Sequence, residues 1–179
     1  MKIKRNQTAA VCIDYQERIL PAMFGKEELL EKSKKLLEGL KVLQVPVYLT
    51  QQYTKGLGTT VSEICEAAGT EKYLEKITFS AYEQIKEKLL PPEEMPYVII
   101  CGIESHVCVL QTAIDLKNAG YQPYLVTDCI SSRKQQDYDM ALERAKQEGI
   151  ILTTYESILF ELLGAAGTPE SKAIQKIVK

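Results

Sequence analysis

The stretch CGIESHVCVLQTAIDL, residues 101–116, decides how the chain folds. It continues the apolar run that starts at Tyr97, so 97–103 reads as a strand buried on both faces. Glu104-Ser105-His106 breaks that run, and apolar residues then recur at the helical period as far as Ala119, where Gly120 ends the pattern. A buried strand, a sharp polar turn and a helix are the first half of a βα unit. Cys108 falls in the first turn of that helix, at N3 if Ser105 is the N-cap. A helix start carries unpaired N–H groups and roughly half a positive charge. The expectation is therefore a thiolate favoured below the free-thiol value near ~8.5. The same N–H groups could hold the oxygen of a tetrahedral intermediate.

The rest of the chain repeats the unit. Strands are expected over 8–14 (TAAVCID), 45–50, 76–79, 121–127 and 150–153, besides 97–103. Helices are expected over 26–43, 81–90 (halted by Pro91-Pro92), 105–119, 136–148, 155–163 and 169–178. The segment 51–70, with Gly56 and Gly58, reads as loop holding a short helix. Strands alternating with helices predict an α/β fold of three αβα layers. Its core would be a doubly wound, mainly parallel, Rossmann-like sheet of about six strands. No repeat, low-complexity tract or linker divides the 179 residues, so 1–179 reads as one domain.

Composition removes several function classes. Lys and Arg number 22 and Asp and Glu 24, for a net charge of −2 with no basic block, which argues against nucleic acid or a membrane surface as partner. The first 16 residues lack a long apolar stretch followed by a small-residue cleavage site, and no run nears the ~20 apolar residues of a membrane span. The expected location is the cytoplasm. The five cysteines are widely spaced with no C-x-x-C, against a disulfide framework or a zinc-finger site. Cys12 and Cys101 sit inside strand-like runs, where a thiol packs as a small hydrophobe.

Three polar groups stand at or near strand ends: Asp14, Lys76 and the 104–108 turn. In a doubly wound sheet, one crevice beyond the carboxyl ends of the strands collects such groups. There Asp14 could take the Cys108 proton and pass it to a leaving group, with Lys76 holding Asp14 ionised and stabilising developing negative charge. His106 is the only histidine; two residues before Cys108 on a helix, it projects to another side and reads as a rim or surface residue. Each signal has a plainer reading. A lone cysteine in such a helix most often packs, an Asp after a first strand also caps helices or binds metal or phosphate, and Lys76 in a charged stretch also reads as a solvated lysine. A nucleotide-binding protein is disfavoured, because no G-x-G-x-x-G or G-x-x-x-x-G-K-[ST] follows the first strand.

The segments CIDYQ (12–16), YLTQQYTKGLG (48–58), EKITFSAY (75–82), GIESHVCVLQTAIDL (102–116), VTDCISSR (126–133) and ILFELLG (158–164) resemble the isochorismatase-like cysteine hydrolase superfamily. That superfamily includes nicotinamidases and N-carbamoylsarcosine amidases, and the resemblance runs through almost the whole chain. It implies Asp14, Lys76 and Cys108 as a catalytic triad. It also implies a cis peptide between Ile103 and Glu104, with the Glu104 and Cys108 amides forming an oxyanion hole. Gln16, Gln51, Tyr53 and Tyr82, with His106 at the rim, would line a substrate pocket. Nicotinamidases carry a metal site of an Asp and several His near the end of the second strand. Here that region reads Thr50-Gln51-Gln52-Tyr53, so no metal and no cofactor is expected, and nicotinamide is a doubtful substrate. Isochorismatases proper lack the nucleophilic cysteine, so Cys108 moves the chain toward amide or carbamoyl hydrolysis of a small molecule. A homo-oligomer, dimer or higher, is implied too. The rival from another class is an inactive binding or scaffold protein that keeps an old active-site shape.

Overall fold

The computed structural model describes residues 2–179, and the apolar runs in it become one sheet. Its strands are β1 (Thr8–Ile13), β2 (Val47–Gln52), β3 (Tyr73–Lys76), β4 (Tyr97–Ile103), β5 (Gln122–Ser131) and β6 (Ile151–Thr153). They run in the order β3-β2-β1-β4-β5-β6, and every pairing is parallel. The chain therefore builds outward from β1 to one edge, returns to the middle, and builds from β4 to the other edge. The reversal falls between β1 and β4. This is the doubly wound α/β sheet that the alternation predicts.

The helices are α1 (Lys26–Val42), α2 (Thr54–Leu57), α3 (Ser62–Ala68), α4 (Tyr82–Ile85), α5 (Leu110–Asn118), α6 (Gln135–Gln147), α7 (Tyr155–Leu163) and α8 (Pro169–Val178). Strand alternation divides the apolar side chains of β1 between two cores. Ala9, Val11 and Ile13 pack with Ile85 of α4, Ala113 and Leu116 of α5, and Ala141 and Ala145 of α6. Ala10 and Cys12 pack with Leu36, Leu37 and Leu40 of α1, Ile64 of α3, Ile158 and Leu159 of α7, and Ile174 of α8. Each fully buried Leu, Ile or Val side chain among these contributes about 1.5–3 kcal/mol. The sheet is thus covered on both faces, as runs without polar alternation require. Among the described residues no helix is long and apolar enough to cross a membrane.

Several boundaries differ from the sequence reading; β5, expected to end at 127, runs on to Ser131. The third strand covers Tyr73–Lys76 and not 76–79, because its ladder to β2 pairs Tyr73 with Leu49 and ends with Lys76 on Gln52. Ile77 and Phe79 looked like strand interior but lie beyond the ladder, exposed. The helix expected over 81–90 shrinks to Tyr82–Ile85, since Ile85 O accepts from both Lys88 N and Leu89 N and tightens the turn away from α geometry. In the segment 51–70, β2 runs on to Gln52 and two short helices follow.

The close approach of β1 and β4 rests on Gly102. It has φ +136°, and a Cβ there would stand 2.3 Å from the carbonyl oxygen of Ile13. Backbone cannot yield as a side-chain tip can, so Gly102→Ala is expected to cost at least about 2 kcal/mol. Urea unfolding followed by circular dichroism checks this, and an unchanged midpoint would contradict it.

Candidate active site

Asp14 follows β1 directly, at the reversal point, with φ 56°. A short carboxylate side chain tolerates this left-handed conformation better than most residues. Its Oδ1 accepts from Thr50 Oγ1 at 2.7 Å, and its Oδ2 lies 2.7 Å from Lys76 Nζ. The Lys76 ammonium also donates to Gln52 Oε1 at 2.6 Å, Phe79 O at 2.9 Å and Thr78 O at 3.3 Å. Lys76 is 1% and Asp14 3% exposed, so the solvated reading of Lys76 is ruled out. An ammonium has three protons, and these acceptors occupy all of them.

Cys108 completes the cluster. Its thiol lies within electrostatic reach of both Asp14 and Lys76 and is 8% exposed. Burial pushes the thiol up most, the Asp14 carboxylate pushes it further, and Lys76 pulls it back by less, leaving it at about 12. At neutral pH the sulfur therefore keeps its proton. This corrects the expectation of a thiolate stabilised by a helix start. Ser105 is not the N-cap; Glu104 holds that position, and residues Ser105–Val109 wind as a π-turn before α5 begins. Val109 N reaches back to Glu104 O at 3.2 Å, a five-residue step. Cys108 is the fourth residue of this turn, beyond where the end charge acts strongly, and a carboxylate faces it. The turn is tied down by Thr112, whose Oγ1 donates to Cys108 O at 2.6 Å and accepts from Ala81 N at 2.9 Å.

The Ile103–Glu104 peptide is cis. The Glu104 carboxylate points to the other side of this turn, where Oε1 accepts from Arg133 N at 3.1 Å and Arg133 Nε at 3.0 Å. His106 also faces that side, with Nδ1 2.9 Å from Ser132 Oγ and Nε2 4.0 Å from Asp137 Oδ2. Tyr82 is half-buried against the apolar cluster that contains Cys108. Tyr53 is half-exposed, and its N–H donates to Lys76 O at 2.9 Å.

Two expected pocket residues are engaged elsewhere. Gln16 is fully buried; its Nε2 donates to Gln52 O and Gly58 O, and its Oε1 accepts from Gln52 N. It clamps the chain after β2 and offers no free amide. Gln51 alternates with Thr50 and Gln52 and so points to the opposite face of the sheet, where Nε2 donates to Thr60 Oγ1 and Oε1 accepts from Thr54 Oγ1. Thr50 and Gln52 take the places beside Asp14 and Lys76. The alternation in Thr50-Gln51-Gln52 held that signal, once β2 was set next to β1. Among the described residues no group of three or more His, Cys, Asp or Glu gathers as a metal site.

The Isochorismatase domain family matches residues 8–157. Isochorismatase domain-containing protein 1 of Salmo salar is 39% identical over 175 residues, 96% of this chain and 61% of that protein. Isochorismatase domain-containing protein 2 of Xenopus laevis is 37% identical over 176 residues, 98% of this chain and 84% of that one. The solved MAR1 ribonuclease of Caenorhabditis elegans superposes with a TM-score of 0.92 at 32% identity, covering 99% of this chain and 92% of its own. The chain belongs to the isochorismatase domain family, as its motifs imply, and it spans only about three fifths of the salmon relative.

Removing one partner of a buried ion pair strands the other charge. Lys76→Met is expected to destabilise the fold by about 3–5 kcal/mol, and Asp14→Asn/Lys76→Met by clearly less. Chemical denaturation of the three proteins checks this; a single variant as stable as wild type would contradict it.

Proposed function

We propose that the protein is a metal-independent cysteine hydrolase that cleaves an amide- or carbamoyl-type C–N bond of a small molecule through a thioester. The observation that carries the reading is a buried Cys108 thiol whose charge state is governed by a buried Asp14–Lys76 pair 2.7 Å apart. Such a pair is weak as a device for stability, because desolvating both charges offsets most of their attraction. Its use with a thiol beside it is chemical.

The reaction balances without a net charge in the site. Sulfur attacks the carbonyl carbon while its proton passes to Asp14, and the carbonyl electrons move to oxygen. The site then holds Lys76 positive, Asp14 neutral and one oxyanion, again summing to zero. Backbone N–H groups of Glu104 and Cys108 receive that oxyanion, a device in which one donor is worth about 10²–10³ in turnover. Collapse breaks the C–N bond, and Asp14 returns its proton to the departing nitrogen. Water then gives a proton to Asp14 as it attacks the thioester, the acid leaves, and the proton goes back to sulfur. Lys76 acts throughout by keeping one positive charge beside whichever group is negative.

An inactive scaffold with this shape requires none of these contacts. RNA, suggested by the name of the nematode protein, brings one negative charge per nucleotide to a site whose cation is already matched.

Screening small amides, carbamoyl compounds, imides and an RNA oligomer for ammonia release or strand cleavage identifies a substrate. With it, Cys108→Ala is expected to lower turnover by about 10³ or more, as loss of a nucleophile does, with an unchanged unfolding midpoint. An undiminished rate would overturn covalent catalysis by Cys108.

A further inference from the structure

The charge arrangement also bears on what the site accepts. Resting on the hydrolase reading above, we propose that the substrate is an electrically neutral carbonyl compound with an apolar part, and that the site discriminates against carboxylates.

The buried cluster contains one cation; its three protons go to Gln52 and to the carbonyls of Phe79 and Thr78, and its charge is paired with Asp14. Asp14 already cancels its charge. A carboxylate-bearing ligand entering beside Cys108 would add a second buried anion with no partner, which proteins avoid unless a cation or several hydrogen bonds meet it. Arg133 already has its charge paired with Glu104, to which its Nε and its backbone N–H both donate. His106 is engaged by Ser132 and faces Asp137. The same electrostatics disfavours a cationic ligand, which would compete with Lys76 for the Asp14 carboxylate.

The surroundings suit an uncharged ligand. Ile77 is 68% and Phe79 55% exposed, and they stand on the two sides of Thr78 in the segment whose carbonyls grip the Lys76 ammonium. Tyr53, 50% exposed, hangs on the backbone hydrogen bond from its own N–H to Lys76 O. Three large, largely apolar side chains in contact with water, on residues that adjoin Lys76 in the chain or bond to it through their backbone, offer area that a neutral ligand's apolar part can cover. On the inner side Tyr82 and Val107 add apolar surface in the cluster shared with Cys108.

A pair of thiol reagents of near-equal size tests the rule without requiring turnover. Iodoacetamide is neutral and iodoacetate anionic; in both, sulfur displaces iodide, the S–C bond forms as C–I breaks, and the thiol proton leaves to solvent. Labelling of Cys108 is followed by peptide mass spectrometry at fixed pH and salt, and the ratio of the two rates is compared with that of 2-mercaptoethanol, an uncharged free thiol. The expected ratio favours iodoacetamide at least tenfold more than the free thiol does. Phe79→Ala is expected to leave that preference in place while weakening binding of substrates with apolar tails, raising KM with kcat unchanged. An equal ratio, a preference for iodoacetate, or no labelling by either reagent would overturn the proposal. Labelling and turnover fail separately, because a carboxylate-tolerant Cys108 could still hydrolyse amides, and a selective Cys108 could fail to turn over any.

Discussion

The buried ion pair of Lys76 and Asp14 is the constraint around which the rest is arranged. Two charges at 2.7 Å with almost no exposure persist only if neither lacks its partner and hydrogen bonds from neighbouring groups hold both in place. Thr50 and Gln52 from β2, and the carbonyls of Thr78 and Phe79 beyond β3, provide those bonds. Every element near the site is thereby tied to one of the two charges. A thiol beside the pair then feels both a base and a cation, and no excess charge of either sign.

The sheet order explains how residues so remote in sequence meet. With β1 and β4 adjacent at the centre, the residues after their carboxyl ends are neighbours, and Gly102 lets the two backbones approach. Lys76 comes from the edge strand β3 and has to reach across β2 to Asp14. A lysine suits this because its long stem packs along the sheet while its head finds acceptors. A shorter cation-bearing side chain at position 76 would leave Asp14 unmatched.

Much of this was legible in the chain. The strand–turn–helix at 97–119, the carboxylate after the first strand, and helices such as Tyr155–Leu163 and Pro169–Val178 follow from apolar periodicity and from glycine and proline punctuation. The isochorismatase-type motifs pointed to the same family that the comparisons establish. What stayed hidden has physical causes. The π-turn at Ser105–Val109 arises from one extra residue in the backbone ladder, which leaves no periodic mark in five residues. The roles of Gln16 and Gln51 depend on which face of β2 each amide meets, and side-chain alternation assigns that only once the strand register is known. The thiol's state could not be read from position in a helix, because burial and Asp14 push it up by more than Lys76 pulls it down. The exposed Ile77 and Phe79 misled because an apolar residue just past a strand end looks the same in sequence as one inside the ladder.

The resting protonation of Cys108 is therefore the quantity on which this chemistry turns. Ultraviolet thiolate absorbance of the wild type, with the Cys108→Ser signal subtracted, reads it across pH. A protonated sulfur through neutral pH, with thiolate growing in only well above the ~8.5 of a free thiol, is the result that a neutral site around a matched ion pair requires. Thiolate already formed at pH 7 would mean that Lys76 pairs with sulfur at rest and that Asp14 is not the group that receives its proton.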